Sequence, residues 1–248
     1  MTDLDRAAPR RRPDTRPAMH QSWGALLFMH WPIDAALLRP LIPPRLEIDA
    51  FGGTAWIGVV PFTMWGIRPA GLPAVPGVSR FHELNVRTYV HHQGVPGVWF
   101  FSLDASGRLA VRVARRFFHL PYFDAAMRLD RRRDGRIDYA SRRTHRGAPP
   151  AFFEGVWTPG AARPEPEPAS LDFFLTERYY LFSARGGRLY RGRIHHPPWP
   201  LRDAMLHHYR SSMLAAHGLP EPTTPPLLHH ADELHVAIWP LEQAGPAR

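Results

Sequence analysis

Phe81-His82-Glu83-Leu84-Asn85-Val86-Arg87-Thr88-Tyr89-Val90 is the stretch from which the rest of this chain is read. Leu84, Val86, Thr88 and Val90 fall on one side of an extended backbone and Glu83, Asn85, Arg87 and Tyr89 on the other. That alternation predicts a β-strand with one apolar and one polar face. The polar face lines up an acid, an amide, a guanidinium and a phenol. Such a row either lines a ligand cavity inside a curved sheet or barrel, or forms a solvated outer face with a cross-strand ion pair. The pattern alone leaves both open.

On the N-terminal side, Gln21 to Trp31 is a continuous apolar run bounded by Pro32, which predicts a strand buried on both faces. Asp34 caps a short helix holding Ala35, Leu37 and Leu38. Gly52-Gly53 turns the chain into a strand over 54–62, and the Gly- and Pro-rich stretch 65–79 predicts a flap or a long crossover loop. On the C-terminal side, the turn Gln93-Gly94-Val95-Pro96-Gly97 leads into Val98 to Leu103. Leu109, Ala110, Val113, Ala114, Phe117 and Phe118 recur with helical spacing, so an amphipathic helix is expected with Arg108, Arg112, Arg115 and Arg116 outside. Asp134-Gly135 marks a hairpin between 122–130 and 137–143, and Gly186-Gly187 marks another between 178–183 and 189–196. Thr158 to Ser170, with proline at 159, 164, 166 and 168, reads as a linker, followed by one helical turn over 171–175. Leu206, Tyr209, Met213 and Leu214 predict a helix over 204–216 stopped by Gly218, and 233–239 a closing strand.

Strands dominate, and 248 residues with 44% hydrophobic content suffice for one packed domain. We place that domain at 19–241, between a disordered tail at 1–18 and a short tail at 242–248. No apolar segment follows Arg10-Arg11-Arg12 directly, so neither a signal peptide nor a membrane span is expected, and a cytoplasmic location fits. Cysteine is absent, which excludes disulfides, thiolate metal sites and a thiol nucleophile. The 31 basic residues are all arginine, so Schiff-base and phosphate-cradling lysines are excluded too. The formal charge of +9 is spread along the chain, which argues against nucleic acid or membrane as partner. The 15 histidines include four adjacent pairs, but neighbours on a strand point to opposite faces, and no His-Glu-X-X-His appears. Neither a metal nor a cofactor is expected, and neither a nucleophile elbow nor a dinucleotide fingerprint is present.

Five motifs in order carry a resemblance: Phe81 to Val90, Gly97 to Asp104, Leu120-Pro121-Tyr122, Thr176-Glu177-Arg178-Tyr179, and His196-Pro197-Pro198-Trp199-Pro200-Leu201. Over roughly residues 19–241 the chain resembles the YqjF-like family of uncharacterised bacterial proteins, which is placed in the acetoacetate-decarboxylase-like superfamily. The resemblance implies a mainly β, cone-shaped barrel of mostly antiparallel strands with a few short outer helices and an apolar cavity. It also implies a strand glutamate facing a Schiff-base lysine. Glu83 is similar to that glutamate, and His119-Leu120-Pro121-Tyr122 is similar to the lysine's segment, which puts Tyr122 where the lysine would stand. Without lysine, the decarboxylase mechanism does not carry over.

Two functions therefore stand side by side. One is a lyase, hydratase or isomerase acting on an oxo- or carboxylate-bearing metabolite, with Glu83 and Tyr122 catalytic. In it Arg87, Asn85, Tyr89, Arg116, Arg178 and His119 bind substrate. The other is a non-catalytic binder of a small apolar or carboxylate ligand, in which changing Glu83 alters affinity without any turnover; a purely structural alternative for Glu83 is a buried Glu–Arg pair that only closes the barrel. In either case the expected partner is a small molecule, with a homo-oligomer left open.

Overall fold

In the computed structural model, which describes residues 4–74 and 79–245, thirteen strands join in one sheet. In chain order they are β1 (Met19–Ile33), β2 (Glu47–Ile48), β3 (Ala55–Pro69), β4 (Phe81–His92), β5 (Val95–Ala105), β6 (Tyr122–Arg131) and β7 (Ile137–Arg143). β8 (Phe152–Ala162), β9 (Tyr180–Arg185), β10 (Arg188–His195), β11 (Leu201–Ser211), β12 (Leu227–Ile238) and β13 (Glu242–Gln243) follow. Helices α1 (Ala35–Leu38), α2 (Arg108–Phe117) and α3 (Leu171–Thr176) are short. The side chains of Asp34 and Ser170 cap α1 and α3 by accepting from backbone N–H groups.

The sheet closes on itself twice. β12, β1, β3, β4 and β5 form a shared wall. β5 then branches, pairing in parallel with β9 through Val98 and Trp99 and with β6 through Leu103 to Ala105. β12 branches in the same way, to β10 at Ala237 and Ile238 and to β11 at His230 and Ala231. One ring thus runs through β9 and β10, and the other through β6, β7, β8 and β11. Side chains alternate along β4, so its two faces look into two different interiors. Leu84, Val86 and Val90 pack with Ile137, Tyr139, Phe153 and Trp157 in a dense apolar core inside the larger ring. Glu83, Asn85 and Arg87 face the smaller ring, which holds a cavity.

The hairpins follow their turn residues. Gln93 and Gly94 (φ 52° and 77°) join β4 to β5 by a two-residue turn, as Gly186 and Gly187 (φ 56° and 73°) join β9 to β10. The expected helix over 204–216 is instead β11 and a single 3₁₀ turn at Ala215–His217, with Gly218 left-handed at its end. The register of β11 against β8 shifts between Leu206 and His208. That bulge adds one residue, so the inward Leu206 and Tyr209 stand three apart and imitate helical spacing. The linker expected from 158 also begins later, because β8 continues to Ala162. Pro159 is tolerated because β7 ends opposite Trp157, leaving β8 only β11 as neighbour there. In α2, Leu109 and Phe117 are not inward as expected but 61% and 65% exposed, because the helix borders the cavity through Leu109 and Ala114 and does not sit on a filled core. Trp65 to Pro69 still belong to β3, and part of the expected flap, 75–78, lies outside the described residues.

Both expected tails make ordered contacts where they are described. Arg6 pairs with Asp49, Arg193 donates to the carbonyls of Pro9 and Arg11, and the indole of Trp239 donates to Thr15. β13 pairs with β10, and Ala244 is buried. Residues 1–3 and 246–248 lie outside the described residues. Among the described residues no helix is long and apolar enough to cross a membrane.

Candidate active site

The cavity of the smaller ring has a volume of about 350 Å³. Its walls come from β1, β3, β4, β5, β9, β10 and β12, with α2 along one side. Trp23, Leu26, Val60, Phe62, Phe81, Leu103 and Trp199 make it predominantly apolar, and a few polar groups converge on it from β4 and the neighbouring loops.

Glu83 is 2% exposed and lies in this wall. The hydroxyl of Tyr122, the first residue of β6, donates to Glu83 Oε2 at 2.7 Å. Burial pushes the Glu83 carboxyl up from its ordinary 4.5 to about 7; hydrogen bonds from Tyr122 and Asn85 act in the opposite direction, and the nearby Asp104 charge adds to the rise. Tyr122 is held well above the usual phenol range by burial and by the Glu83 charge, so it remains a donor. The pair can therefore exchange a proton near neutral pH at Glu83, with Tyr122 steadying the carboxylate form. Replacing Tyr122 with Phe is expected to raise the Glu83 pKa further, by about one unit, because a hydrogen bond to the charged form is lost. Carbon-13 NMR of labelled glutamate across pH 5–9 reads this directly; an unmoved titration would contradict it.

Two residues further along β4, Asn85 also lines the cavity, and its buried amide oxygen has no partner. Two further again, Arg87 lines it as well. Arg87 Nη2 donates to the Leu175 carbonyl at 3.2 Å, and its guanidinium lies over Phe28 at 5.2 Å. Its buried Nε has no partner, and among the described residues no carboxylate lies within ion-pair distance of it. The buried Glu83–Arg87 pair considered from sequence is therefore not formed.

Arg178 borders the same end of the cavity, but Asp49 holds its Nη1 at 2.7 Å and the Phe174 carbonyl takes its Nε at 2.7 Å. Its buried Nη2 has no partner. Tyr89 belongs to the framework: fully buried, it donates to the Leu175 carbonyl at 2.7 Å and bonds His30 Nε2 at 2.7 Å. Arg116 is exposed on α2, its guanidinium over Phe117, and is not in the cavity wall. His119 packs edge-on against Tyr190 and faces a separate, more open depression of about 450 Å³. Arg116 lies in the last turn of α2 and His119 in the α2–β6 connection, whose path the sequence does not disclose. Sequence reasoning does not single out His196 or Trp199, yet both line the cavity. Burial lowers the His196 imidazole to about 4, which keeps it neutral, and it stacks on Tyr179 at 4.5 Å. The signal was their shared motif, His196 to Leu201. Among the described residues no group of three or more His, Asp or Glu could hold a metal ion.

Residues 20–235 match the DUF2071 family, described as "Uncharacterized conserved protein". The chain is 45% identical over 231 residues to "Uncharacterized protein YqjF" of Bacillus subtilis strain 168, covering 93% of this chain and 94% of that one. Among solved structures, the enduracididine biosynthesis enzyme MppR complexed with pyruvate is similar with a TM-score of 0.65 and 15% identity, over 92% of this chain and 91% of that one. An acetoacetate decarboxylase-like enzyme from Sphingomonas wittichii RW1 gives a TM-score of 0.61 and 13% identity, over 93% and 94%. An acetoacetate decarboxylase gives 0.60 and 15%, over 93% and 90%. At these identities the structural likeness establishes the fold: a mainly β, acetoacetate-decarboxylase-like barrel.

Proposed function

The chain belongs to the DUF2071 family, and we propose that this member binds an oxo- or carboxylate-bearing small molecule in the smaller ring and moves a proton on it through Glu83. One observation carries the reading. A carboxyl with a pKa near 7 lies in the wall of an apolar cavity, hydrogen-bonded to a phenol, with an arginine in the same wall that pairs with no acid among the described residues. Perturbed carboxyls in apolar clefts are suited to general acid–base work at neutral pH. The reaction is of the isomerase, hydratase or lyase kind. Glu83 in its carboxylate form takes a proton from the carbon beside an oxo group, the electron pair moves into the enolate, and Glu83-H returns the proton to the product. Nothing is oxidised or reduced. Tyr122 stands where the superfamily resemblance puts a lysine, so no imine forms there.

A second reading, a binder without turnover, draws on the fact that Glu83 Oε2 already accepts from Tyr122. One experiment separates the two. Short oxo acids, hydroxy acids and lipophilic carboxylates are screened by thermal shift on wild type and Glu83→Gln, since a ligand of the native state raises the melting temperature. Oxo acids that bind are then followed for exchange of the adjacent C–H in deuterated water. Exchange should be about 10²–10⁴-fold slower in Glu83→Gln. Binding with equal exchange in both proteins would leave the binder reading, and the absence of any bound compound would remove both.

A further inference from the structure

The polar groups of the cavity stand in a fixed order along one strand. Glu83, Asn85 and Arg87 are successive residues on one face of β4. A strand rises about 3.3 Å per residue, so the Cα atoms of Glu83 and Arg87 are roughly 13 Å apart. Their side chains do not close that gap. Arg87 leans away from Glu83, towards Leu175 and Tyr89, giving its Nη2 to the Leu175 carbonyl. Glu83 is held by Tyr122 on the other side. At the Arg87 end the cavity is closed by buried Thr176 and Arg178, and at the other it is bordered by α2, where Leu109 is 61% exposed.

We propose that the substrate is a medium-length amphiphilic carboxylate, seated with its carboxylate on Arg87 at the closed end and its apolar chain running past Glu83 to the mouth at Leu109. The oxo or hydroxyl group on which a proton moves then sits in mid-chain, opposite Glu83 and Tyr122. The proposal deepens the reading above and rests on it. In pyruvate or acetoacetate the carboxylate and the oxo group lie one or two bonds apart, so neither acid touches Arg87 and Glu83 together. A longer chain does. It gives Arg87 the anion it lacks, and its mid-chain hydroxyl, where present, offers the unpartnered Asn85 oxygen a donor.

The test is isothermal calorimetry with pyruvate, acetoacetate, hexanoate, octanoate, decanoate and dodecanoate on wild type, Arg87→Met and Arg87→Lys, each checked for a native melt. In wild type the affinity should rise about fourfold per added methylene and level off once the chain emerges at the mouth. Arg87→Met should weaken every alkanoate at least tenfold, and Arg87→Lys should recover part of that loss. Pyruvate or acetoacetate binding as tightly as octanoate would overturn the proposal while leaving proton transfer at Glu83 standing. A length series undiminished in Arg87→Met would overturn the orientation and with it the proposal. Failure of every alkanoate to bind would overturn this proposal, while the functional reading stands or falls separately by the oxo-acid exchange measurement on Glu83→Gln.

Discussion

Removing Arg143 is expected to destabilise the protein by about 3–5 kcal/mol, because it strands a charge in the interior. Asp104 and Arg143 are almost wholly buried, at 0% and 1% side-chain exposure. Arg143 Nη2 donates to Asp104 Oδ1 at 2.7 Å and Nε reaches both carboxylate oxygens, while the guanidinium lies 4.2 Å above the Phe123 ring. In Arg143→Met the carboxylate keeps its desolvation and loses its partner. Burial already pushes Asp104 above its ordinary 3.8, with Arg143 opposing, so the variant's carboxyl should rise further. A raised carboxyl pKa holds stability below the unfolded value and loses it as pH rises through the folded one. The deficit should therefore be larger at pH 8 than at pH 4.5, as read by urea unfolding at both. Asp104→Leu combined with Arg143→Met should regain much of the loss. A single variant as stable as wild type at pH 8 would show that the pair is not desolvated as described.

Glu83 governs the second large effect, also through pH. With a folded pKa near 7 against an ordinary 4.5, the folded protein holds a proton between those values that the unfolded chain has released. The stability this contributes is complete below about pH 4.5 and is lost as pH rises through 7. A shift of that size corresponds to roughly 3 kcal/mol. Glu83→Gln keeps the shape and carries no titrating proton, so its stability relative to wild type should improve by about that amount between pH 5 and pH 8.5. Denaturant midpoints of the two proteins across that range read the difference. A constant difference would mean that Glu83 titrates like an ordinary surface carboxyl, and would remove the basis for acid–base chemistry there. Together with the slowed exchange expected of the same variant, the profile separates a residue kept for reactivity from one kept for stability.

Part of the cavity wall was legible in the sequence because a strand converts sequence parity into geometry. Once Phe81 to Val90 is extended, Glu83, Asn85 and Arg87 must share a face, and so they do in the cavity wall. The Glu83–Tyr122 contact joins residues 39 apart and came from motif resemblance, not from pattern. Arg116, His119 and Tyr89 show where such reading stops. Proximity to a motif says nothing about whether a side chain enters a cavity, packs on a neighbouring ring, or is consumed by a framework bond such as Tyr89 to Leu175. The helix expected over 204–216 failed for a related reason: a bulge in β11, set by its pairing with β8, gave inward residues a spacing of three.

The order of residues governs what is local and chemical. It sets the alternation along β4, the glycine and Asp-Gly turns, the lack of any lysine for an imine, and the lack of any cysteine for metal or thiol chemistry. The tertiary structure alone decided whether the polar face of β4 meets water or an enclosed space. That outcome depends on β5 and β12 each branching to two partners, so that the sheet closes into two rings and both faces of one strand become interior. Closure is made of pairings between residues far apart in the chain, which no local pattern encodes. The desolvation that raises Glu83 to about 7 exists only once those pairings are made.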